Sequence, residues 1–524
     1  RSLEQFESTP MPGTEGAESP FFSPDGRWVG YWDSYEGKLE KVAVEGGSPI
    51  VLCDAGNLWG ASWGPDDTIV AGFDTLDGIW QIPSVGGQPR LLLAPSEELG
   101  AQDVDFPEYL PDGSGVLFTA WRGLTAYSAY IGLLEMDTGA SKVLIENASW
   151  ARYLSTGHLI YGRGDRIEVA PFSLVRRQIT GPSVPVPESI LYRSLEGIPH
   201  LAVSMNGTLA FLPGSGSRQD RLVLVGLEGK ETPLLESERH YLHPRYSPSG
   251  ENLAATVFGP EGADIWVADL NTGVESQLTR GGGHLISMWT PGGERLIFSK
   301  ETMEPPASVS IYWQRKDGST PAEPLLLAEE AGERLWPYDL SPDGTSLVFG
   351  KARVFERGRA QEIWLLDLVS NETRVLLTEE GTPFMGASVS PDGQWLAYAK
   401  GSSGTSQIYV QGLPVGGERY QLSTQGGIRP LWSNDASKLY FLGFSTWRMM
   451  VVPVATKPDF RAGSPDLLLE ERYALGPYTS HPNFDLSPEG THFVMVKEGA
   501  TSAFPSEIRV ITNWFEELRR LTPP

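Results

Sequence analysis

The sequence is poor in cysteine and in long apolar runs. Cys53 is the only cysteine among 524 residues, so no disulfide can form within the chain. It ends the apolar run 50–53 and is predicted to be a small buried hydrophobe. No apolar run approaches the roughly 18 residues of a membrane-spanning helix. The most apolar stretches, such as 363–368, have the length of a strand.

Positive charge is also scarce, with 41 basic against 66 acidic residues and a net charge of −25. Nucleic acids and anionic membrane surfaces would be repelled, so neither is expected as a partner. Glycine and proline are abundant, at 59 and 41 residues, and their even spread indicates many turns rather than a disordered tail. The length predicts two or more domains.

Catalytic signatures are missing from the sequence as well. It has no Gly-x-Ser-x-Gly elbow, and the small-residue stretch 214–217 is interpreted as a flexible loop. It also lacks a glycine-rich phosphate loop, a His-Arg-Asp catalytic loop and an Asp-Phe-Gly motif. We therefore predict no active site and no cofactor in these residues.

A four-residue turn, named the corner turn below, recurs along the chain. Ser-Pro-Asp-Gly stands at 23–26, 341–344 and 390–393, and similar turns bring the total to eleven copies at intervals of 41 to 54 residues. The near and weaker copies begin at Gly64, Leu110, Leu154, Ser204, Ser247, Thr290, Ser433 and Ser487. This interval is close to the 40–50 residues of a propeller blade.

The chemistry of the turn explains its residues. Proline fixes φ at the second position, aspartate binds backbone amides, and glycine ends the turn where a side chain would clash. Short β-rich runs surround each turn, for instance at 385–389, 395–398, 407–410 and 420–423. Four short strands per repeat, without a convincing amphipathic helix, predict an all-β fold of tandem β-propellers with four-stranded antiparallel blades.

Eleven blades are too many for one ring, which typically holds four to eight. We therefore expect two rings of about six blades, a first propeller at 1–238 and a second at 239–524, although no linker composition marks the boundary. Residues 1–9 resemble the outer strand of a blade whose other strands lie upstream.

The repeats resemble TolB-type, WD-like propeller repeats of bacteria. The chain is also similar to the extracytoplasmic C-terminal half of bacterial receptor-type serine/threonine protein kinases. The segments that carry this second resemblance are 13–17, 20–28, 151–153, 156–159, 170–172, 426–427, 430–433 and 513–518. It implies a sensing or binding role at the periplasm or cell surface, and a parent protein whose kinase domain is separate from these residues.

The candidate site residues are acids and histidines. Asp103 and Asp105 would share one face of a strand, with Glu108 nearby, where paired carboxylates can perform acid–base work or bind a cation. Solvated charges at a strand end are the alternative. His240 and His243, with Glu238 nearby, have His-x-x-His spacing, but they stand in a predicted loop entering a strand, so they are weak metal candidates.

Other residues have simpler interpretations. The isolated histidines are predicted to be loop or core residues, and the corner-turn aspartates to cap turns rather than bind calcium, because the alternating acids of a calcium loop are missing. Trp59, Trp121 and Trp447 could stack on a carbohydrate or peptide, although most of the 16 tryptophans should pack blades. The isolated histidines are His158, His200, His284, His481 and His492.

Three functional classes stay open. The leading one is a binding or sensing module that holds a protein, peptide or small ligand at a propeller face or channel. The second is a propeller hydrolase or lyase that uses channel carboxylates. The third is a structural subunit that assembles through the strand at 1–9.

Overall fold

The computed structural model has 56% of its residues in strands and 2% in helix, which confirms the predicted all-β class. The residues that it describes are 10–55, 58–73, 78–96, 98–122, 128–164, 166–193, 198–214, 219–259, 262–302, 308–330, 332–353, 362–379, 382–401, 406–443, 446–474, 481–499 and 507–522. The predicted outer strand at 1–9 and most of the predicted loop at 214–217 lie outside these residues.

The chain forms two compact units. Unit 1 contains residues 1–216 and 505–524, and unit 2 contains residues 217–504. The predicted division at 238/239 differs from this one. Residues 220–233 belong to unit 2 because they pair with a strand near the end of that unit, a long-range contact that no local composition signals.

Unit 1 consists of antiparallel sheets that follow one another along the chain. Three have four strands in chain order, and the sheet of β13 to β17 has five. The strands are β1 (Ala17–Phe22), β2 (Trp28–Asp33), β3 (Lys38–Ala43), β4 (Ile50–Asp54), β5 (Leu58–Trp63), β6 (Thr68–Phe73), β7 (Ile79–Pro83), β8 (Arg90–Leu93), β9 (Asp103–Tyr109), β10 (Gly115–Trp121), β11 (Ala129–Glu135), β12 (Ser141–Glu146), β13 (Ser149–Leu154), β14 (His158–Arg163), β15 (Arg166–Ser173), β16 (Gln178–Ile179), β17 (Val184–Pro185), β18 (Tyr192–Arg193), β19 (Ile198–Pro199), β20 (Leu201–Val203) and β21 (Leu209–Phe211).

Unit 2 repeats the same four-stranded arrangement, in which β28 to β35 are two such sheets joined by one parallel pair between β30 and β32, and the sheet of β40 to β44 has five strands. Its strands are β22 (Asp220–Gly226), β23 (Glu231–Pro233), β24 (His240–Tyr246), β25 (Asn252–Gly259), β26 (Gly262–Asp269), β27 (Glu275–Gln277), β28 (His284–Trp289), β29 (Arg295–Glu301), β30 (Val309–Arg315), β31 (Glu323–Leu326), β32 (Glu333–Leu340), β33 (Ser346–Arg353), β34 (Glu362–Asp367), β35 (Thr373–Leu377), β36 (Phe384–Val389), β37 (Trp395–Lys400), β38 (Gln407–Gly412), β39 (Gly416–Gln421), β40 (Ile428–Trp432), β41 (Lys438–Leu442), β42 (Met449–Ala455), β43 (Arg461–Ala462), β44 (Asp466–Leu467), β45 (Phe484–Leu486) and β46 (His492–Glu498).

The sheets of unit 2 form a closed ring. The first strands of successive sheets contact one another in the order β45, β24, β28, β32, β36 and β40. The turn after β40 returns to the turn after β45, where Asn434 Nδ2 donates to the carbonyls of Ser487 and Pro488 at 2.9 and 2.7 Å. The strand just before each corner turn is therefore the inner strand of a propeller blade.

Strands from both ends of unit 2 share one sheet, in the order β23-β22-β46-β45. The chain then returns to unit 1, where β47 (Arg509–Ile511) pairs with β21. The helix α1 (Trp514–Leu521) follows and buries Trp514, Phe515 and Leu518. This helix was not predicted from the sequence, because eight residues are too few for a clear helical period. Since 1–9 lies outside the described residues, the blade number of unit 1 stays a prediction.

The corner turns form as predicted. In the turn that begins at Ser390, the serine hydroxyl donates to Asp392 Oδ1 at 2.6 Å, and the Gln394 amide donates to the same oxygen at 3.1 Å. Gly393 has φ +70°. Asp67 and Ala436 adopt φ +62° and +56° at the glycine position, so the turn keeps its shape in the weaker copies.

Candidate ligand site at the axis of unit 2

Most inner strands share a feature that the sequence did not reveal, a β-bulge about four residues before the corner turn. At this place the backbone turns left-handed, even at Ser19, Phe106, Trp150, His243, Ile286 and Arg429. Such backbone is costly for residues other than glycine unless the surroundings hold it. The neighbouring blade stabilises this left-handed backbone through hydrogen bonds. The His243 amide donates to Asn483 Oδ1 at 2.7 Å, and the Trp150 amide donates to Thr119 Oγ1 at 2.8 Å.

In unit 2 the residues around these bulges bring charged and aromatic side chains together at the ring axis. We call this set the axial cluster. It draws on four inner strands and on the segment that leads into β45. Its members are His243, Arg245, Trp336, Tyr338, Asp339, Arg429, His481 and Asp485.

His481 is the centre of the cluster. Its Nε2 lies 3.2 Å from the carbonyl oxygen of Pro337 on β32, whose sheet is not adjacent in ring order to that of β45. The His481 ring centroid lies 5.9 Å from that of His243, 5.1 Å from Tyr338 and 6.3 Å from Trp336. A contact across the ring places these side chains at the axis.

Arg245 is fixed beside this centre by backbone carbonyls. Its Nη1 donates to Pro244 and Phe484 at 2.7 and 3.0 Å, and its Nη2 donates to Pro482 at 3.2 Å. These bonds preorganise the guanidinium group against the segment that carries His481. A charged group held this way can receive a ligand without losing further side-chain freedom.

The two carboxylates of the cluster link neighbouring blades. Asp339 Oδ2 accepts from the amide of Val389 at 2.8 Å and from Ser388 Oγ at 3.1 Å. Asp485 Oδ2 accepts from the amide of Tyr246 at 2.9 Å. Each acid stands two residues before its corner turn and binds the amide just before the turn of another blade. These bonds give both acids a structural role.

Burial dominates the protonation of the cluster. It raises the pKa of Asp339 to about 6 and also raises the pKa of Asp485, while Arg245 lowers both. Burial, together with the charges of Arg245 and Arg429, lowers the pKa of His481 to about 3. The pKa of His243 falls well below its usual value through burial, His481 and the same arginines. Both histidines are therefore neutral at pH 7.

The cluster thus combines two arginines with two neutral histidines. Arg429, His243 and His481 are buried, whereas Arg245, Tyr338, Asp339 and Asp485 keep part of their surface accessible. Accessible space therefore lies beside the buried basic groups. Convergent polar groups next to aromatic walls are typical of a ligand site.

The acids that were predicted from the sequence as site residues belong to unit 1 and are not part of the axial cluster. Asp103 and Asp105 lie opposite Trp121 and Thr119 on β10, and Asp105 is buried with Oδ1 against Gly72 of the neighbouring sheet. Glu108 Oε2 lies 3.7 Å from Arg152 Nε, and burial raises the pKa of Glu108. Glu108 thus has an ionic partner of its own, Arg152.

His240 and His243 have different neighbours as well. The His240 ring stacks on Phe258 with centroids 4.9 Å apart, whereas His243 faces His481. The predicted loop is part of strand β24. Among the described residues no three His, Cys, Asp or Glu side chains are placed to share a metal ion, so metal binding at these residues stays a prediction without a coordinating set.

Three of the isolated histidines take part in networks or ring contacts. His284 Nδ1 lies 2.8 Å from Asp264 Oδ1, which also accepts from Thr279 Oγ1 at 2.8 Å. His158 Nε2 lies 3.2 Å from the carbonyl oxygen of Thr522, and His492 packs on Tyr246. His481 is buried in the core of unit 2, where the ring brings it against His243.

The tryptophans and the cysteine that the sequence singled out are half-buried or buried. Trp59 and Trp121 are half-buried, each with its ring centroid 6.3 Å from that of Phe106, and Trp447 is half-buried beside Met449 and Phe484. Cys53 is buried in a hydrophobic cluster, as predicted. Burial raises the pKa of its thiol to about 11, so the unreactive thiol form prevails at pH 7.

A pocket of about 480 Å³ lies in unit 1 between β12 and the sheet of β14 and β15. Tyr161, Arg163 and Ser183 contribute polar groups to its wall. All three are engaged by Glu168, at distances of 3.0, 3.4 and 2.7 Å. Because these groups satisfy one another, the pocket is a weaker candidate than the axial cluster.

Comparison with known proteins gave matches among solved structures alone; no family model and no curated protein matches the sequence. A TolB protein of Agrobacterium tumefaciens is 18% identical, covering 54% of this chain and 99% of its own, with a TM-score of 0.42. TolB from Acinetobacter baumannii is 19% identical, covering 60% and 80%, with a TM-score of 0.37. An oligogalacturonate lyase is 12% identical, covering 75% and 88%, with a TM-score of 0.32.

The TolB matches agree with the predicted resemblance to TolB-type repeats. All three TM-scores are below 0.5, and the propeller fold rests on the sheet order and contacts described above. The relation to receptor-type kinases is not among these findings and stays a prediction. In the described part of the chain no helix has the length and hydropathy to span a membrane.

Proposed function

We propose that the chain is a non-catalytic binding module whose ligand or partner engages unit 2 at the axial cluster. The supporting observation is the convergence of basic and aromatic side chains there, with accessible surface on Arg245 and Tyr338 beside them. Propeller rings commonly bind at their axis or loops because the rigid blades position side chains from several strands. An extracytoplasmic sensing role, in a receptor-type kinase or a secreted protein, is the corresponding biological proposal.

A thermal-shift screen tests this function on the intact chain. The panel contains short peptides, oligosaccharides and small metabolites, each neutral, cationic or anionic. We use His481→Gln, in which the new amide can still donate to Pro337, and His492→Gln as a matched control in the same unit. We expect a stabilising ligand that loses its effect in His481→Gln and keeps it in His492→Gln. Failure of the whole panel, or equal effects in both variants, would contradict the proposal.

A second candidate is a propeller hydrolase or lyase. The raised pKa values of Asp339 and Asp485, two acids that both interact with Arg245, favour it. Their bonds to backbone amides oppose it, because each carboxylate already has a structural partner. Release of reducing ends or unsaturated products from polysaccharides, abolished in Asp339→Asn with the fold intact, would favour the enzyme over the binding module.

A further inference from the structure

The pocket in unit 1 is bounded by a divided outer strand. The short strands β16 and β17 both pair with β15, and the segment 180–183 between them contributes one wall of the pocket. The end of β12, in the preceding sheet, contributes another. The volume of about 480 Å³ lies within the roughly 300–1,000 Å³ of small-molecule sites. None of these residues belongs to the axial cluster, so an inference about the pocket goes beyond the proposed function.

Arg163 is a polar side chain of this pocket that protein atoms leave incompletely satisfied. Its Nη1 lies 3.4 Å from Glu168 Oε2, and its buried Nε has no hydrogen-bond partner among the described residues. A buried N–H group without a partner is rare in folded proteins. The contacts of Glu168 therefore satisfy the carboxylate, which accepts from Tyr161 and Ser183 at 3.0 and 2.7 Å, but they do not satisfy the guanidinium group.

The charged side chains at the pocket form two balanced pairs. Glu168 lies beside Arg163, and Glu146 accepts from both Nη atoms of Arg122. A guanidinium group can donate but cannot accept, so a ligand at Arg163 must present an acceptor oxygen. A carboxylate there would be repelled by Glu168 and by the net charge of −25. An uncharged acceptor, such as an amide carbonyl, avoids this repulsion.

The remaining walls suit the other parts of an amide. The side chain of Asn147 is exposed and makes no hydrogen bond to the residues that the structure describes, so it can both donate and accept. Leu144 and Ile179 are half-buried and offer apolar contact beside the buried Ala170. An amide with a small apolar substituent has the matching combination of carbonyl, N–H and carbon.

We propose that this pocket is a second binding site of the chain and takes a small uncharged ligand, whose amide carbonyl accepts a hydrogen bond from Arg163. The Asn147 side chain accepts from the N–H of the same amide, and the apolar substituent packs on Leu144 and Ile179. An N-acetylated sugar and a capped amino acid both carry such a group. The shared amide is the feature that the pocket recognises.

Saturation-transfer NMR on the intact chain detects weak binding of small probes through the signal of their acetyl methyl group. The uncharged amide probes are N-acetylglucosamine and N-acetyl-leucine amide. Glucose lacks the amide, and N-acetyl-leucine adds a carboxylate. We compare Arg163→Met with Arg166→Met as a matched control, because Arg166 is exposed on the same hairpin and is not part of the pocket wall. Arg163→Lys keeps the charge in case the methionine variant does not fold.

We expect saturation transfer to at least one of the uncharged amides in wild type and in Arg166→Met. Arg163→Met should weaken this binding roughly 10- to 100-fold, the loss expected for a hydrogen bond to a charged group, and Arg163→Lys should lie between. N-acetyl-leucine should bind more weakly than its amide, and glucose should give no transfer. Binding of the sugar alone identifies an acetamido ligand, and binding of the leucine amide alone identifies a peptide-like one.

Equal binding in wild type and Arg163→Met, or no transfer to either uncharged amide, would overturn the pocket as a ligand site. Glucose binding as tightly as N-acetylglucosamine, or N-acetyl-leucine binding more tightly than its amide, would overturn the ligand class. His481→Gln distinguishes this site from the axial cluster. A signal that disappears in His481→Gln and persists in Arg163→Met would contradict the pocket site while supporting the proposed function.

Discussion

At the scale of single residues, the corner turn depends on its carboxylate. Asp435 accepts from the hydroxyls of Ser433 and Ser437, both at 2.7 Å, and from the Ser437 amide at 3.0 Å. These bonds lower the pKa of Asp435 to about 2. The aspartate is thus a structural part of the turn, as its position in the repeat predicted.

We predict that Asp435→Ala lowers the free energy of unfolding by about 1 kcal/mol at pH 7, the size of a typical net hydrogen bond on an exposed turn. Because the pKa is lower in the folded state, this stabilisation is complete above about pH 4. It is lost as the pH falls toward 2. Urea unfolding at several pH values checks this. A difference between wild type and variant that does not shrink in acid would contradict the assigned role.

At the scale of elements, β1 differs from the other inner strands. The aromatic residue just before the corner turn is buried at Trp63, Tyr109, Trp289 and Trp432. The equivalent Phe22 on β1 is 64% exposed, and most of that strand is exposed too. The position in the repeat predicts that the residue is aromatic. The neighbouring blade determines how far its side chain is buried, and therefore how much it contributes to the free energy of unfolding.

We predict very different costs for the same truncation at two equivalent positions. Trp432 is 4% exposed, and its Nε1 donates to the carbonyl of Ser388 at 3.1 Å, so Trp432→Ala should lower stability by roughly 3–5 kcal/mol. Phe22→Ala should cost no more than about 0.5 kcal/mol. Chemical denaturation measures both. A comparable loss in the two variants would show that β1 is covered in the folded protein.

The strands and turns could be predicted from the sequence, but the axial cluster could not. The corner turn is local, and Pro, Asp and Gly have fixed backbone preferences. His243 and His481 meet only because the ring closes. His243 stands at the bulge, which has no residue preference, since it accepts Ser, Phe, Trp, His, Ile and Arg. The helix α1 does have a charge pattern typical of helices, with Glu516 and Glu517 in its first turn and Arg519 and Arg520 in its last.

At the scale of the whole molecule, each unit has its own hydrophobic cores. The hydrophobic clusters of the described residues each belong to one unit. Unit 2 is closed by β22 pairing with β46, whereas β47 and α1 return to unit 1. The sequence predicted a single boundary at 238/239 and not the return of the chain to unit 1. Pairing between strands that are far apart in the sequence cannot be seen in local composition.

We predict that Trp514→Ala destabilises unit 1 selectively. Trp514 is buried in a cluster with Leu209 and Phe211, and its Nε1 donates to Glu188 Oε1 at 3.0 Å. Hydrogen exchange should accelerate across 149–211 and remain unchanged across 240–467. Phe493→Ala, in the core of unit 2, should give the reverse pattern. Equal acceleration in both units would mean that the two units unfold together.

The most direct measurement of the central claim, that unit 2 binds a ligand at the axial cluster, is the thermal shift of the intact chain against ligands of each charge, in wild type, His481→Gln and His492→Gln. We predict at least one ligand whose stabilising effect is lost in His481→Gln and kept in His492→Gln. Equal effects in the two variants, or no effect of any ligand on the wild type, would contradict the claim.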